Sequence, residues 1–259
     1  MARVLITGSS TGIGQAAAIA LIGQGHQVVL HARNEKRAEE ALAAVPGADG
    51  VVVGDLSSLA EVHQLAAQAE KAGPYDTVVL NAGIGRLHDP ERLLTVDGNE
   101  ITFQVNTLSA YLLTALLPRP KRLIFTSSAL AGSGVLDLDD PNYDRRPYHG
   151  REAYGSTKLH LVLLALAFGR RWPEVDSLAF DPNFVATQMT VRNGDVAPLD
   201  SAHAGERLAR LAAPQPGAPL PPNSYDSERA WRPGAQENDP ANQDGLLALC
   251  ARLTGVIVG

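Results

Sequence analysis

Up to Phe180 the chain alternates two hydrophobic patterns. The runs Val4–Thr7, Gln27–His31, Gly50–Val53, Thr77–Asn81, Arg122–Ser127 and Asp176–Phe180 are short, rich in β-branched residues and mostly apolar at successive positions. That is the pattern of strands buried on both faces inside a covered parallel sheet. Between them, Ala/Leu-rich helical patterns lie near Gly14–Gly25, Lys36–Val45, Ser58–Ala72, Glu100–Leu117 and Ala153–Arg171. In "SSLAE", Ser58 is placed as an N-cap with Glu61 three residues on, a capping-box signature. Strand and helix in repeated alternation predict an α/β, doubly wound fold: a mostly parallel sheet of about seven strands with helices on both faces.

The regularity ends after Phe180. Residues Asp181–Leu199, with Pro182, Asn193, Gly194 and Pro198, read as a long loop, and Ser201–Ala213 as a helix. Pro214–Asp239 holds Pro214, Pro216, Pro219, Pro221, Pro222 and Pro233, which argues against helix there. "DPANQDGLLALCARLTG" then offers Asp239 as cap, Pro240 at the first helical position and Gly255 as a stop. The pattern shows no repeat and no second domain. Residues 1–259 are expected to form one domain whose Pro-rich extension, from about 214 to 259, wraps and docks.

Composition removes some alternatives. A 45 % hydrophobic and 19 % charged chain is ordinary for a folded soluble protein. Its formal charge of −6, from 22 Lys+Arg against 28 Asp+Glu, gives no basic footprint, so no nucleic-acid partner is expected. Cys250 is the only cysteine, which excludes an internal disulfide framework and a Cys-rich zinc site and fits a reducing compartment. The seven histidines are scattered without HExxH spacing, so no metal is expected. "MARVLITG" lacks signal-peptide organisation, and the greasiest run, Leu159–Phe168, is about half the length of a membrane span. It reads as a buried helix of a cytoplasmic protein without a membrane span.

The first strand runs into "TGSSTGIG", with Gly8, Gly12 and Gly14, and an Ala-rich helix follows. Glycines there allow a tight turn, close approach of backbone N–H groups to a pyrophosphate, and tight packing of helix on strand. Ser10, Thr11 and Ile13 complete the expected cradle. Dinucleotide folds usually end the second strand with an acid for the ribose hydroxyls, but here Ala32 stands at that place and Arg33 follows. A guanidinium binds a ribose phosphate that a carboxylate would repel, which favours NADP(H) over NAD(H). Arg37, one turn on, is a weaker auxiliary.

In "REAYGSTKLH", Tyr154 and Lys158 lie four apart and share a helix face. With the glycine turn, "GDLSS", "LNAG", "QVN", "TSS" and "YGSTK" in that order, the chain from about Arg3 to Met189 resembles the short-chain dehydrogenases/reductases, with their Rossmann fold. The resemblance implies that Asp55 and Leu56 flank the adenine, that Asn81, Ala82 and Gly83 pass the adenosine side, and that Asn106, Ser128, Tyr154 and Lys158 form a catalytic tetrad. Hydride transfer to a carbonyl builds negative charge on oxygen, so a proton donor and a second hydrogen-bond donor are needed there. Tyr154 is the expected acid. The Lys158 ammonium is expected to lower its pKa and to bind the nicotinamide ribose, Ser128 to polarise the carbonyl, and Asn106 to hold a water leading to Lys158. Ser127 is the alternative serine.

Three departures shape the rest. Ser128 and Tyr154 are about twice as far apart as is usual in the family, and the intervening segment resembles the retinol dehydrogenase and carbonyl reductase branch; it is expected to wall the substrate pocket. "DPNFVATQM" keeps Pro182 and Thr187 but has Asn183 where the family has glycine; Asn tolerates left-handed backbone, and Pro182, Val185 and Thr187 become candidates for contacting the nicotinamide amide. The helix after Asn106 looks short for a family subunit contact, leaving monomer or homodimer. The expected function is NADP(H)-dependent interconversion of a small-molecule ketone or aldehyde and an alcohol, with pocket loops Gly85–Leu94, Leu136–Gly150 and about 183–200. The rivals are a non-catalytic NADP(H) sensor and a sugar-nucleotide epimerase or dehydratase.

Overall fold

The computed structural model describes residues 1–214, 221 and 224–259. Among these residues seven strands form one sheet in the order β3-β2-β1-β4-β5-β6-β7, and every pair is parallel. They are β1 (Arg3–Ile6), β2 (Gln27–Ala32), β3 (Val51–Val53), β4 (Thr77–Leu80), β5 (Arg122–Thr126), β6 (Asp176–Phe180) and β7 (Tyr225–Asp226). The order turns back between β1 and β4, and such a switch point opens a crevice at the carboxyl ends of the strands. The doubly wound Rossmann architecture expected from the alternation is therefore present, with the sheet wholly parallel.

Both-face burial explains why the strands read as unbroken apolar runs. On β1, Val4 and Ile6 enter one core with Ala17, Leu21 and Leu208, while Leu5 enters the other with Val62, Leu108 and Leu163. The first core is covered by α1 (Gly12–Gly23), α2 (Glu35–Ala44) and α8 (Ser201–Ala212). The second is covered by α3 (Leu59–Ala72), α5 (Ser109–Leu116), α6 (Gly150–Arg171) and α10 (Pro240–Thr254). A Cβ on Gly205 would lie 2.5 Å from Ala16 Cβ, so glycine lets α8 press directly on α1.

Between β4 and α5, α4 (Ile101–Phe103) continues through a π turn, Gln104–Leu108. The expected Glu100–Leu117 helix is thus continuous but widened at Asn106. Ser58 caps α3 by accepting from Glu61 N–H at 3.3 Å; Glu61 does not return the bond but accepts from Asp55 N–H at 2.8 Å, so only half of the expected box forms. The Asp181–Leu199 loop contains α7 (Gln188–Arg192), because Thr187 and Thr190 exchange side-chain and backbone hydrogen bonds at its start. The Pro-rich segment contributes β7 and α9 (Ala235–Asn238), the second a short helix that its prolines argued against; Pro216, Pro219 and Pro222 lie outside the described residues. The last helix forms as expected, with Asp239 as cap and Gly255 left-handed at φ 73°. It docks by burying Leu246, Leu249 and Cys250, and the tail beyond it accepts from Tyr111 Oη at Val256 O, 2.8 Å, and from Trp172 Nε1 at Gly259 O, 3.0 Å.

Candidate active site

The glycine turn is built by backbone conformation. Gly8 (φ 64°) and Gly12 (φ 63°) are left-handed, and a Cβ on Gly8 would lie 2.7 Å from Ala82 Cα. Gly14 is equally tight, since a Cβ there would stand 2.6 Å from both Asn81 Nδ2 and Gly8 O. Asn81 Nδ2 donates to Thr7 O at 2.9 Å and to Gly8 O at 3.2 Å, locking the end of β4 to the turn. Thr11 is the N-cap of α1 yet makes no side-chain cap bond, which leaves the first N–H groups of the helix for an anion. A cradle that any Cβ would fill, at an uncapped helix start, fits the pyrophosphate of a dinucleotide.

His31 is not singled out by the sequence pattern. Its Nδ1 accepts from Gly8 N–H at 2.9 Å, and Nε2 lies 2.9 Å from Gly54 O. The first bond requires an unprotonated Nδ1, so the ring is neutral with its proton on Nε2, and burial lowers its pKa in keeping. A lone histidine inside an otherwise apolar strand was the available signal. Beyond β2, Arg33 is exposed, while Arg37 is engaged by Glu40 at 2.9 Å. Asp55 Oδ1 accepts from Ser57 N–H and Oγ at 2.9 and 2.8 Å, a turn-forming role, and Leu56 beside it is buried.

Asn106 sits on the π turn, where the extra residue directs its side chain toward β4 and α6. Its Oδ1 accepts from Ile84 N–H at 2.8 Å; its Nδ2 donates to Ile84 O and to Thr157 Oγ1, both at 2.9 Å. Gly83 brings Asn106 and Lys158 together: a Cβ there would lie 3.2 Å from Asn106 Oδ1 and 3.3 Å from Lys158 Nζ. Gly85 stands against Tyr154, whose ring carbons would be 3.2 Å from its Cβ. Ser127 Oγ donates to Lys158 O at 2.7 Å, whereas Ser128 is half-buried and, among the described residues, accepts only from Leu130 N–H, at 3.2 Å. The hydroxyl proton of Ser128 is the free one of the pair.

One electrostatic expectation is corrected. Lys158 does not lower the Tyr154 pKa in this structure: burial, and secondarily the charge of Asp181, push the phenol up. The Lys158 Nζ donates to Thr126 O at 2.8 Å and stands 5.3 Å from the Tyr154 ring centroid. Burial also pushes Lys158 down to about 8, against an opposing pull from Asp181. Desolvation disfavours either charged form and outweighs their mutual attraction at this separation.

The remaining walls are loops. Asn183 does adopt left-handed backbone, φ 68°, so the turn survives without glycine. Pro182 and Val185 are buried, and Thr187 faces the glycine turn, its Cγ2 3.6 Å from a Cβ on Gly12. Asn193 Oδ1 accepts from Leu87 N–H at 3.1 Å, joining the α7 loop to the one after β4. The segment before α6 is clamped by Arg146, which donates to Glu152 at 2.6 Å and stacks 3.9 Å over Tyr143. Trp231, from beyond β7, lies on Gly132, where a Cβ would meet its Cδ1 at 2.5 Å. Among the described residues no metal-binding cluster occurs, and no helix is long and apolar enough to cross a membrane.

Comparison with known proteins identifies the class. The short chain dehydrogenase family profile matches residues 2–138, and the chain belongs to that family. It is 42 % identical to an uncharacterized oxidoreductase of Emericella nidulans, over 99 % of this chain and 98 % of that one. It is 33 % identical to human (Homo sapiens) retinol dehydrogenase 13 over 65 % of this chain and 54 % of the relative, in line with the expected branch. A crystal structure of an uncharacterized protein from Mycobacterium Paratuberculosis has the same fold, with a TM-score of 0.83, 26 % identity, and coverage of 100 % of this chain and 95 % of that one.

Proposed function

We propose that the protein is an NADP(H)-dependent oxidoreductase of the carbonyl reductase or alcohol dehydrogenase type, interconverting a small ketone or aldehyde and an alcohol. The observation that carries this reading is the meeting of Asn106 Oδ1 and Lys158 Nζ over Gly83, with Tyr154 beside Gly85. The cofactor would be held by Gly8, Ser10, Thr11, Gly12, Ile13 and Gly14 at its pyrophosphate, and by Arg33 at a ribose phosphate. Asp55 and Leu56 would take the adenine, Asn81, Ala82 and Gly83 the adenosine side, Lys158 the nicotinamide ribose, and Pro182, Val185 and Thr187 the carboxamide. When bound, it supplies or accepts the hydride.

Tyr154 gives its phenolic proton to the carbonyl oxygen as that oxygen gains charge, and Ser128 donates a hydrogen bond to the same atom. A phenol whose pKa is raised stays protonated across neutral pH, which suits a proton donor in the reducing direction. Asn106 fixes the floor of the site through Ile84 and Thr157 and stands where a water could lead to Lys158. The segment before α6, the α7 loop and the loop after β4 enclose the substrate. Helix α10 packs against α5 and α6, which favours a monomer over a homodimer through that face.

The test follows NADPH absorbance over a panel of ketones and aldehydes, with NADH in parallel, for the native protein and Tyr154→Phe. The expected result is turnover with NADPH that drops by about 10²–10⁴-fold in the variant. Turnover unaffected by the substitution would sink the assigned acid.

A further inference from the structure

Asp181 follows β6 directly and is 1 % exposed. Phe180, the residue before it, pairs in register with Thr126 of β5, the same Thr126 whose carbonyl holds Lys158 Nζ. A buried carboxylate and a buried ammonium therefore converge on the ends of two adjacent strands. Among the described residues the carboxylate is held by neutral donors only: Asn183 N–H reaches Oδ1 at 2.9 Å and Ser227 Oγ reaches Oδ2 at 2.8 Å. Arg207, from α8, donates to the Asp181 main-chain carbonyl at 3.3 Å, but its guanidinium pairs with Asp226 and, at 3.5 Å, with Glu228. The remaining titratable groups that the Asp181 charge reaches are Tyr154 and Lys158 of α6 and Tyr225 of β7. Among the described residues the Asp181 carboxylate has no ion-pair partner.

An uncompensated buried carboxylate is costly, and an asparagine could satisfy the same two donors without the charge. We propose that Asp181 is a positioning residue of the acid/base site, whose negative charge acts through Lys158 and Tyr154 to keep the first an ammonium and the second a phenol. The proposal rests on the reading of Tyr154 and Lys158 as the acid/base pair. It assigns to Asp181 the choice of protonation state, whereas Ser128 and Tyr154 contact the substrate. The direction is the same at both groups, since a negative charge disfavours loss of a proton from either one. The Asp181 charge indeed raises the pKa of each, partly offsetting burial at Lys158 and adding to it at Tyr154.

The common sign separates charge from packing. Removing the carboxylate lowers the pKa of both groups, whereas loosening the site and admitting water lowers Tyr154 but raises Lys158 toward its ordinary 10.5. Lys158 is the group to watch. The sequence has four lysines, Lys36, Lys71, Lys121 and Lys158, and only the last is buried. Lysine labelled with ¹³C at Cε in the full chain, assigned with Lys158→Met, gives its titration directly by NMR. The expected result is a native midpoint near 8 that falls by about one pH unit in Asp181→Asn and in the smaller, neutral Asp181→Ser. Ser227→Ala, which removes a donor and keeps the charge, moves it much less. A midpoint at or above the native one in both neutral variants overturns the proposal. The readout needs no turnover: loss of the functional reading through an active Tyr154→Phe would leave this coupling standing, and an unmoved Lys158 would leave the functional reading intact.

Discussion

The hydroxyl of Ser127 is tied to Lys158: Oγ donates to the lysine main-chain carbonyl at 2.7 Å, joining the end of β5 to the middle of α6. Ser128, one residue on, has a hydroxyl proton with no such commitment. The two serines should therefore fail differently. Ser127→Ala is expected to lose about 1 kcal/mol of stability through a buried hydrogen bond. Ser128→Ala gives up only the long 3.2 Å bond from Leu130 N–H and should cost no more than about 1 kcal/mol, but lose roughly 10²-fold or more in turnover, as removal of a donor to a developing oxyanion does. Thermal melts and NADPH oxidation on the same preparations check this. Comparable activity loss with native stability in both variants would remove the distinction.

Gly8 and Gly12 are both left-handed, but only Gly8 is crowded, its Cβ position being 2.7 Å from Ala82 Cα against 3.6 Å between Gly12 and Thr187 Cγ2. Gly12→Ala should cost about 1–2 kcal/mol from backbone strain alone. Gly8→Ala adds overpacking against backbone and should cost about 3 kcal/mol or more. Urea unfolding gives the stabilities. Dinucleotide binding, read by NADPH fluorescence, should weaken in both because each methyl intrudes on the cradle. Equal stabilities would show that Ala82 yields.

Legibility follows the range of the interactions. The strands announce themselves because both faces are buried, and the glycine turn and Tyr154–Lys158 because their chemistry is local in the chain. Asn183 is legible as a left-handed position for the same reason. What the sequence hides depends on distant partners. His31 gains meaning only beside Gly8 and Gly54, Asp181 only once β6 is paired with the Thr126 that holds Lys158, and Trp231 only over Gly132. Helix α7 is held by a Thr187–Thr190 exchange with no apolar periodicity to reveal it, and β7 exists because β6 offers it an edge. The direction in which Lys158 and Tyr154 shift is hidden too, because burial, a tertiary quantity, decides it.

His160 of α6 is buried against the Phe103 ring, with Nδ1 3.2 Å from Thr107 Oγ1 and Nε2 unpartnered among the described residues. Burial pushes its pKa down to about 4 from 6.5. Below 6.5 the unfolded chain binds a proton that the folded one refuses, so the histidine costs stability as pH falls toward 4. The full effect is on the order of 3 kcal/mol. Burial raises the nearby Glu100, which acts in the opposite sense, so the comparison has to be with His160→Leu. Urea unfolding at pH 7.5, 6 and 5 should show the native protein losing stability relative to the variant at each step down. A constant difference across the series would mean that His160 accepts its proton in the folded state.

Arg33 is exposed one residue past β2, where Ala32 replaces the acid expected for ribose hydroxyls. The proposed ribose-phosphate contact falls to its guanidinium, since Arg37 is drawn to Glu40. Charge-assisted contacts of this kind contribute about 1.5–3 kcal/mol, which corresponds to roughly 10–100-fold in affinity. Arg33→Ala should weaken NADPH by that factor and leave NADH nearly unchanged, because the adenine and pyrophosphate contacts are common to both. Arg33→Lys should recover part of the loss at low salt, since a point charge attracts the phosphate without matching its fork geometry. Fluorescence titration with both dinucleotides measures it. Parallel weakening of NADH and NADPH would place Arg33 on the shared part of the dinucleotide and move the selectivity for the phosphate elsewhere.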